Sequence, residues 1–254
     1  MDGTLPSERW KAKEEMHISV IIPVLDESEN IQPLLEELSA ISHCFEGFEV
    51  CVIDDGSSDG TDERLREGQG TYAWLRVLRH DSPRGQSASM LEGMWSSRAD
   101  VIVTMDGDRQ NNPADIPAIV DALDGVDVVC GFRAKRKDSA SRRYASRIAN
   151  RVRNWVTRDG IRDTGCSLKA FRRECVADLP LLDGVHRFMP AYFNIAGRQL
   201  REVPVDHRAR VAGVSKYTNL QRLPRTVLDL IGFWWFRRRH VPLRFDVDAA
   251  PPHG

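Results

Sequence analysis

Val101-Ile102-Val103-Thr104-Met105-Asp106-Gly107-Asp108-Arg109-Gln110 is the stretch on which the reading of this chain turns. Its first five residues are apolar or β-branched, the pattern of a short strand buried on both faces. Two carboxylates follow, one residue apart. At the exit of a buried strand both can turn towards one hard cation, and oxygen ligands suit Mg2+ or Mn2+. Gln110 would add a neutral oxygen. Taken alone, a short acidic pair also reads as a solvated turn, so the flanking sequence has to decide.

Working outward, apolar runs at 18–24, 50–53, 75–78, 101–105 and 126–130 read as strands. Helical segments at 30–41, 61–67, 86–97 and 114–123 lie between them. Strand and helix in alternation predict an α/β fold, a mostly parallel sheet flanked by helices. In such sheets ligands bind beyond the carboxyl ends of the strands. Asp26-Glu27, Asp54-Asp55 and Asp106-Asp108 all fall there. After Gly131 the pattern changes: helices are predicted at 141–158, 174–179 and 187–196, with strands at 167–171 and 199–205. A last helix at 224–239 carries Val227, Leu228, Ile231, Trp234 and Trp235 on one face and ends in Arg237-Arg238-Arg239. The expected organisation is a polar tail at 1–16, a catalytic domain at 17–219, an amphipathic interface helix at 220–240 and a mobile tail at 241–254.

The 254 residues suffice for one full core. The formal net charge of -1 hides a basic block between Arg133 and Arg173, which predicts anionic partners. No stacking aromatics accompany that block, so nucleic acid is not expected. The cysteines (Cys44, Cys51, Cys130, Cys166 and Cys175) are odd in number and form no CxxC, which points away from disulfides and zinc. No signal peptide is visible and no apolar run reaches the roughly 18 residues of a membrane span, so a cytoplasmic, peripheral protein is expected.

Other segments carry chemistry. Asp54-Asp55-Gly56-Ser57-Ser58-Asp59-Gly60-Thr61 follows the second strand. One of its carboxylates would accept hydrogen bonds from a nucleotide base, unless the segment merely caps the next helix. Pro83-Arg84-Gly85-Gln86 precedes a helix start whose N–H groups suit a phosphate. Arg210-Val211-Ala212-Gly213-Val214-Ser215-Lys216 sets two cations around a glycine, a grip for phosphate or a solvated basic loop. The helices at 141–158 and 224–239 each set an apolar face beside arginines. That is the pattern of helices lying in a bilayer interface, or of ordinary packing on the sheet.

Together these residues resemble family 2 glycosyltransferases of the GT-A fold, in the polyprenyl-phosphate branch that includes dolichol-phosphate mannose synthase. The resemblance runs from His17 to Arg239. Ile22-Pro23-Val24-Leu25-Asp26-Glu27 is similar to the opening nucleotide-site motif, and Ile53-Asp54-Asp55-Gly56-Ser57 to the base-binding motif. Asp106-Gly107-Asp108-Arg109-Gln110 is similar to the metal motif, and Gly131-Phe132-Arg133 to the Gly-x-Arg after the fifth strand. The segment 163–171 resembles the acceptor-side lining, and Arg210-x-x-Gly213-x-Ser215-Lys216 the late phosphate-binding motif. The resemblance implies a nucleotide-sugar site of Pro23, Leu25, Glu27, Ile53, Asp55, Asp106, Gly107, Asp108, Arg133, Arg210 and Lys216. It implies Mg2+ or Mn2+ at Asp106, Asp108 and Gln110, with catalysis by Asp106, Asp108, Arg210 and Lys216. Asp163, Ser167 and Arg142 would lie on the acceptor side. Leu25 departs from an aromatic residue usual in the mannose synthases, and Gly107 and Arg109 from the usual Ala and Leu.

The implied reaction is inverting transfer of a hexose from a nucleotide diphosphate sugar, GDP-mannose or UDP-hexose, to a polyprenyl phosphate at the cytoplasmic membrane face. The resemblance also implies a possible separate membrane-protein partner. The motif Gln-x-x-Arg-Trp of polysaccharide synthases is absent, in keeping with an acceptor that needs no base. Alternatives are transfer to a hydroxyl of a glycan or lipid, with Asp163 as base, and a non-catalytic nucleotide-sugar-binding subunit of a membrane complex.

Overall fold

The computed structural model describes residues 16–134, 153–209 and 219–241, the stretch 219–227 through its backbone only. Seven strands form one sheet: β1 (His17–Val24), β2 (Gly47–Asp54), β3 (Leu75–Arg79), β4 (Val101–Thr104), β5 (Val128–Arg133), β6 (Lys169–Arg172) and β7 (Leu200–Val205). Their order is β3-β2-β1-β4-β6-β5-β7. Helices α1 (Ser28–Ser42), α2 (Thr61–Thr71), α3 (Gln86–Ser96) and α4 (Ile116–Asp121) connect the first five strands. Helix α5 (Val185–Ile195) precedes β7, and α6 (Asn219–Arg239) follows it.

Each strand alternates between two cores. On β1, Ile18, Val20, Ile22 and Val24 pack against Ile31, Leu34, Leu35 and Leu38 of α1. Those four positions follow the three- and four-residue spacing of one helix face. Ile21 points the other way, into a core shared with Met90 and Met94 of α3 and Phe188, Met189 and Phe193 of α5. Burial on both faces is why these strands read as near-continuous apolar runs.

The sheet is mixed. β6 lies between β4 and β5 and runs antiparallel to both, while the remaining pairs are parallel. It brings Thr104 at the end of β4 against Lys169, and the Thr104 hydroxyl donates to the Ser167 carbonyl at 2.8 Å. The segment leading into β6 is thereby held next to the loop that follows β4. Several boundaries differ from the sequence reading. β5 starts two residues later than expected, because 124–127 form a turn and a bend around Gly125 at φ 73°. The segment 173–178 is a 3-10 turn, not an α-helix.

Helix α6 begins at Asn219, five residues before the predicted start at 224. It is split between two environments. Phe233 is fully buried, stacked on Phe188 with ring centroids 5.5 Å apart and set edge-on to Tyr192 at 5.2 Å. Asp229 accepts from Arg187 at 2.8 Å, and Arg237 donates to the Val156 carbonyl at 2.7 Å. The other face stays in solvent: Leu228 is 67% exposed, Ile231 58% and Trp235 59%. Only part of the predicted 141–158 helix falls within the described residues. Residues 153–157 are helical, and Trp155 on them is exposed. Among the described residues, no helix is long and apolar enough to cross a membrane.

Candidate active site

The strand order places β2 and β3 on one side of β1 and β4 on the other. A parallel sheet opens a crevice where the winding reverses in this way, outside the carboxyl ends of the two central strands. Pro23, Leu25, Asp26 and Glu27 leave β1 there, and Asp106, Gly107 and Asp108 leave β4.

The loops after β1 and β2 are stitched together. The Asp26 N–H donates to Ser57 Oγ at 2.9 Å, the Glu27 N–H to Thr61 Oγ1 at 2.9 Å and the Ser28 N–H to Asp59 at 3.0 Å. In return Asp26 accepts from the Ser58 N–H at 2.9 Å, and Glu27 accepts from Asn30 Nδ2 at 2.6 Å. Burial pushes the Asp59 carboxyl up, but the Thr61 hydroxyl and the Ser28 and Thr61 donors outweigh it and lower it to about 2. The edge is therefore held in place by charge-assisted bonds before any ligand arrives.

Asp55 is buried at the centre of this edge. Its Oδ1 accepts from the Arg84 N–H at 2.8 Å and faces His80 Nδ1 at 2.7 Å. Its Oδ2 accepts from the Gly85 N–H at 2.8 Å. Burial raises its pKa, but these three partners outweigh it and hold the carboxyl below the usual range. Asp54, equally buried, turns inward and accepts from the Ser57 N–H at 2.9 Å. The Ile53 side chain is fully buried over Gly93, where an added Cβ would come within 2.6 Å of it.

On the other strand, Asp106 Oδ1 accepts from Gln86 Nε2 at 3.0 Å. Asp108 is buried, and its Oδ1 accepts the Gln110 N–H at 3.1 Å. Gln110 returns its carbonyl to the Arg208 N–H at 2.9 Å. Both departures in this loop have structural causes. A Cβ on residue 107 would lie 2.5 Å from Val24 Cγ1, and Val24 is itself buried. Arg109 adopts φ 59° and turns backwards, donating to Glu37 on α1 at 2.8 Å. Arg208 joins the same carboxylate at 2.6 Å and reaches Asn112 Oδ1 at 2.7 Å. Burial raises Glu37, yet the two guanidinium groups outweigh it and keep it ionised. The overlap at residue 107 predicts that Gly107→Ala will destabilise the protein by about 1–3 kcal/mol, the usual cost of overpacking. Urea denaturation would measure it, and an unchanged midpoint would contradict the close approach.

Among the described residues, no three His, Cys, Asp or Glu side chains converge as a metal cage. Two carboxylates at a crevice suit a different kind of site. Mg2+ typically takes one or two carboxylates and completes its shell with water and substrate phosphates. Asp106 and Asp108 fit that requirement.

In the segment before β6, Ser167 Oγ donates to Asn111 Oδ1 at 2.7 Å. Arg133, at the end of β5, grips Asp163 in a bidentate pair at 2.6 and 2.7 Å. Arg142, Arg210 and Lys216 lie outside the described residues. Residues 207–209 are nonetheless fastened to the loop after β4, by the Arg208 N–H to the Gln110 carbonyl and by a β-bridge between His207 and Asn111. Sequence reading missed His80, Glu92, Asn111 and Glu37, which belong to no quoted segment, and took Gln86 only as part of a helix start; each acts through a partner distant in the chain.

Sheet order defines a Rossmann-like α/β protein whose acidic loops lie at the reversal between β1 and β4, where sheets of this kind bind ligands. Residues 19–179 match the model of Glycosyl transferase family 2. The chain is a member of that family, and its fold is GT-A. A dodecaprenyl-phosphate galacturonate synthase of Rhizobium johnstonii is 34% identical over 232 residues, covering 89% of this chain and 68% of that one. An undecaprenyl-phosphate 4-deoxy-4-formamido-L-arabinose transferase of Pseudomonas aeruginosa is 37% identical over 221 residues, covering 84% and 64%. The chain thus spans about two thirds of the length of these curated relatives. Among solved structures, glucosyl-3-phosphoglycerate synthase of Mycobacterium tuberculosis, in complex with Mn2+, UDP and glucosyl-3-phosphoglycerate, superposes with a TM-score of 0.68 at 20% identity. That match covers 92% of this chain and 86% of the other, and it carries the fold.

Proposed function

We propose that this chain transfers a sugar from a uridine diphosphate sugar to a polyprenyl phosphate at the cytoplasmic surface of a membrane. The observation that carries the reading is that Gly85 and Gln86, adjacent in the chain, tie Asp55 and Asp106 together at the carboxyl ends of β2 and β4, with Asp108 two residues further on. Two curated relatives are named for synthesis or transfer on dodecaprenyl or undecaprenyl phosphate, which supports the acceptor class.

Asp55 would receive the base. A carboxylate offers about four lone-pair directions, and Arg84, Gly85 and His80 occupy three of those on Asp55. One direction remains. It matches the single ring N–H of uracil better than the paired N–H groups of guanine. A thermal-shift comparison tests this choice, since a ligand of the native state raises its stability. UDP with Mn2+ is expected to raise Tm more than GDP with Mn2+ does, and an equal or larger shift with GDP would reverse the assignment.

Asp106 and Asp108 would hold Mg2+ or Mn2+, with Gln110 a further oxygen. When bound, the ion supplies Lewis-acid stabilisation of the departing diphosphate. Gln86 steadies Asp106 by its amide, and the Gln110 N–H steadies Asp108, so both carboxylates are oriented before the donor binds. Arg210 and Lys216 would add fixed positive charge where negative charge develops. A phosphate acceptor is ionised near neutral pH and needs no general base. The hydroxyl-acceptor reading would require Asp163 as that base, but both oxygens of this carboxylate are already engaged by Arg133. The exposed face of α6, with Arg237, Arg238 and Arg239 in its last turn, would set the crevice at the lipid headgroups, where the polyprenyl chain remains in the bilayer.

A further inference from the structure

His80 follows β3 directly and is only 5% exposed. Its two ring nitrogens face two carboxylates: Nδ1 lies 2.7 Å from Asp55 Oδ1, and Nε2 lies 2.6 Å from Glu92 Oε2 on α3. A neutral imidazole has one N–H and one lone pair, so it satisfies one carboxylate and presents a lone pair to the other. Only the doubly protonated ring donates to both. The other charged groups nearby are already engaged with one another. Arg84, from the loop before α3, donates to Glu92 Oε1 at 3.0 Å, and Arg79 at the end of β3 pairs with Asp54 and Asp62. Asp81 follows the ring in the chain. The backbone of His80 is fixed as well, its N–H donating to the Asp54 carbonyl at 2.9 Å.

We infer that His80 is a positioning residue for the donor nucleotide: doubly protonated, it locks the Asp55 carboxylate in the orientation that receives the base, so nucleotide affinity falls when the ring loses a proton. The inference rests on the reading that Asp55 contacts the base. Burial alone would lower the imidazole pKa, but hydrogen bonds and charge from Asp55 and Glu92 outweigh it and raise it above 6.5. Glu92 is correspondingly lowered, chiefly by the bond from His80. The sign follows. A group whose pKa is raised on folding contributes stability that is complete below its unfolded value, here 6.5, and lost as pH rises through the folded value. The neutral ring donates to only one of the two carboxylates, so the two-sided brace is lost: with the proton on Nε2 the lone pair faces Asp55, whose rotation would break its bonds to the Arg84 and Gly85 N–H groups, and with the proton on Nδ1 the ring loses its hold on Glu92.

The test is calorimetric binding of UDP-glucose with Mg2+ between about pH 6 and about pH 8.5, a range that spans the neutral-pH titration of histidine. The diphosphate of this probe carries no phosphate that titrates there. The wild-type Kd is expected to rise about tenfold across the range, the worth of roughly one hydrogen bond to a charged group. His80→Gln, which is uncharged at every pH, is expected to bind weakly with a flat profile. A wild-type Kd that stays constant while UDP-glucose binds would overturn the inference and leave the proposed function standing, as would a His80→Gln variant that keeps the wild-type slope. Absence of UDP-glucose binding at every pH would overturn the base-site reading, and this inference with it.

Discussion

Asp108→Ala is expected to lower the rate of sugar transfer about 1,000-fold or more. A metal that stabilises a leaving diphosphate is worth several kcal/mol of barrier, and each 1.4 kcal/mol is a factor of about ten. Asp108 also has a local structural duty, because its Oδ1 accepts the Gln110 N–H. Asp108→Asn separates the two roles. It keeps an oxygen acceptor for that N–H but loses the charge that attracts the cation. Both variants are expected to be inactive with Mn2+, and Asp108→Asn should keep a Tm within a few degrees of wild type. Steady-state kinetics and a thermal melt read the two effects independently. Activity within threefold of wild type in Asp108→Asn would remove this carboxylate from the metal site.

Ile231→Glu combined with Trp235→Glu is expected to reduce binding to anionic vesicles by about 100-fold. The two side chains stand one turn apart on the solvent face of α6. Burying one large apolar side chain is worth about 1.5–3 kcal/mol, so losing two at a lipid surface accounts for that factor. The three arginines of the last turn add an attraction that salt screens, so wild-type binding should weaken as ionic strength rises. Folding should be little affected, because helix packing runs through Phe233, Phe236 and Asp229 on the other face. Sedimentation with phosphatidylglycerol vesicles measures the loss. Undiminished binding by the variant would move the membrane contact off this helix.

The fold was legible in the sequence where burial is symmetric. β1 and β4 lie in the middle of the sheet and are apolar on both faces, so their runs were unmistakable, as were the carboxylates at their exits. The direction of β6 was not legible, since an apolar run carries no sign of which way its strand points, and hydrogen bonding to β4 decides it. Helix α6 was half legible. The exposed Leu228, Ile231 and Trp235 stood out as a stripe, but Phe233 and Phe236 anchor the helix from the other face through aromatic partners on α5. Asp55, Asp106 and Asp108 were legible as carboxylates at strand ends. What supports them was hidden, because His80, Gln86, Glu92 and Glu37 act across separations that no local pattern encodes. Arg133 and Asp163 were both picked out, but as separate binding groups, when their geometry is that of a single ion pair.

The central claim is transfer of sugar from a UDP-sugar to a lipid phosphate. Its most direct test is mass spectrometry of the lipid fraction after incubating the chain with a short-chain polyprenyl phosphate, Mn2+ and a panel of UDP-sugars and GDP-sugars. The expected result is a polyprenyl phosphate heavier by one sugar with a UDP-linked donor, absent in Asp108→Asn. Unmodified lipid with every UDP-sugar, or a product formed only from a GDP-sugar, would contradict it.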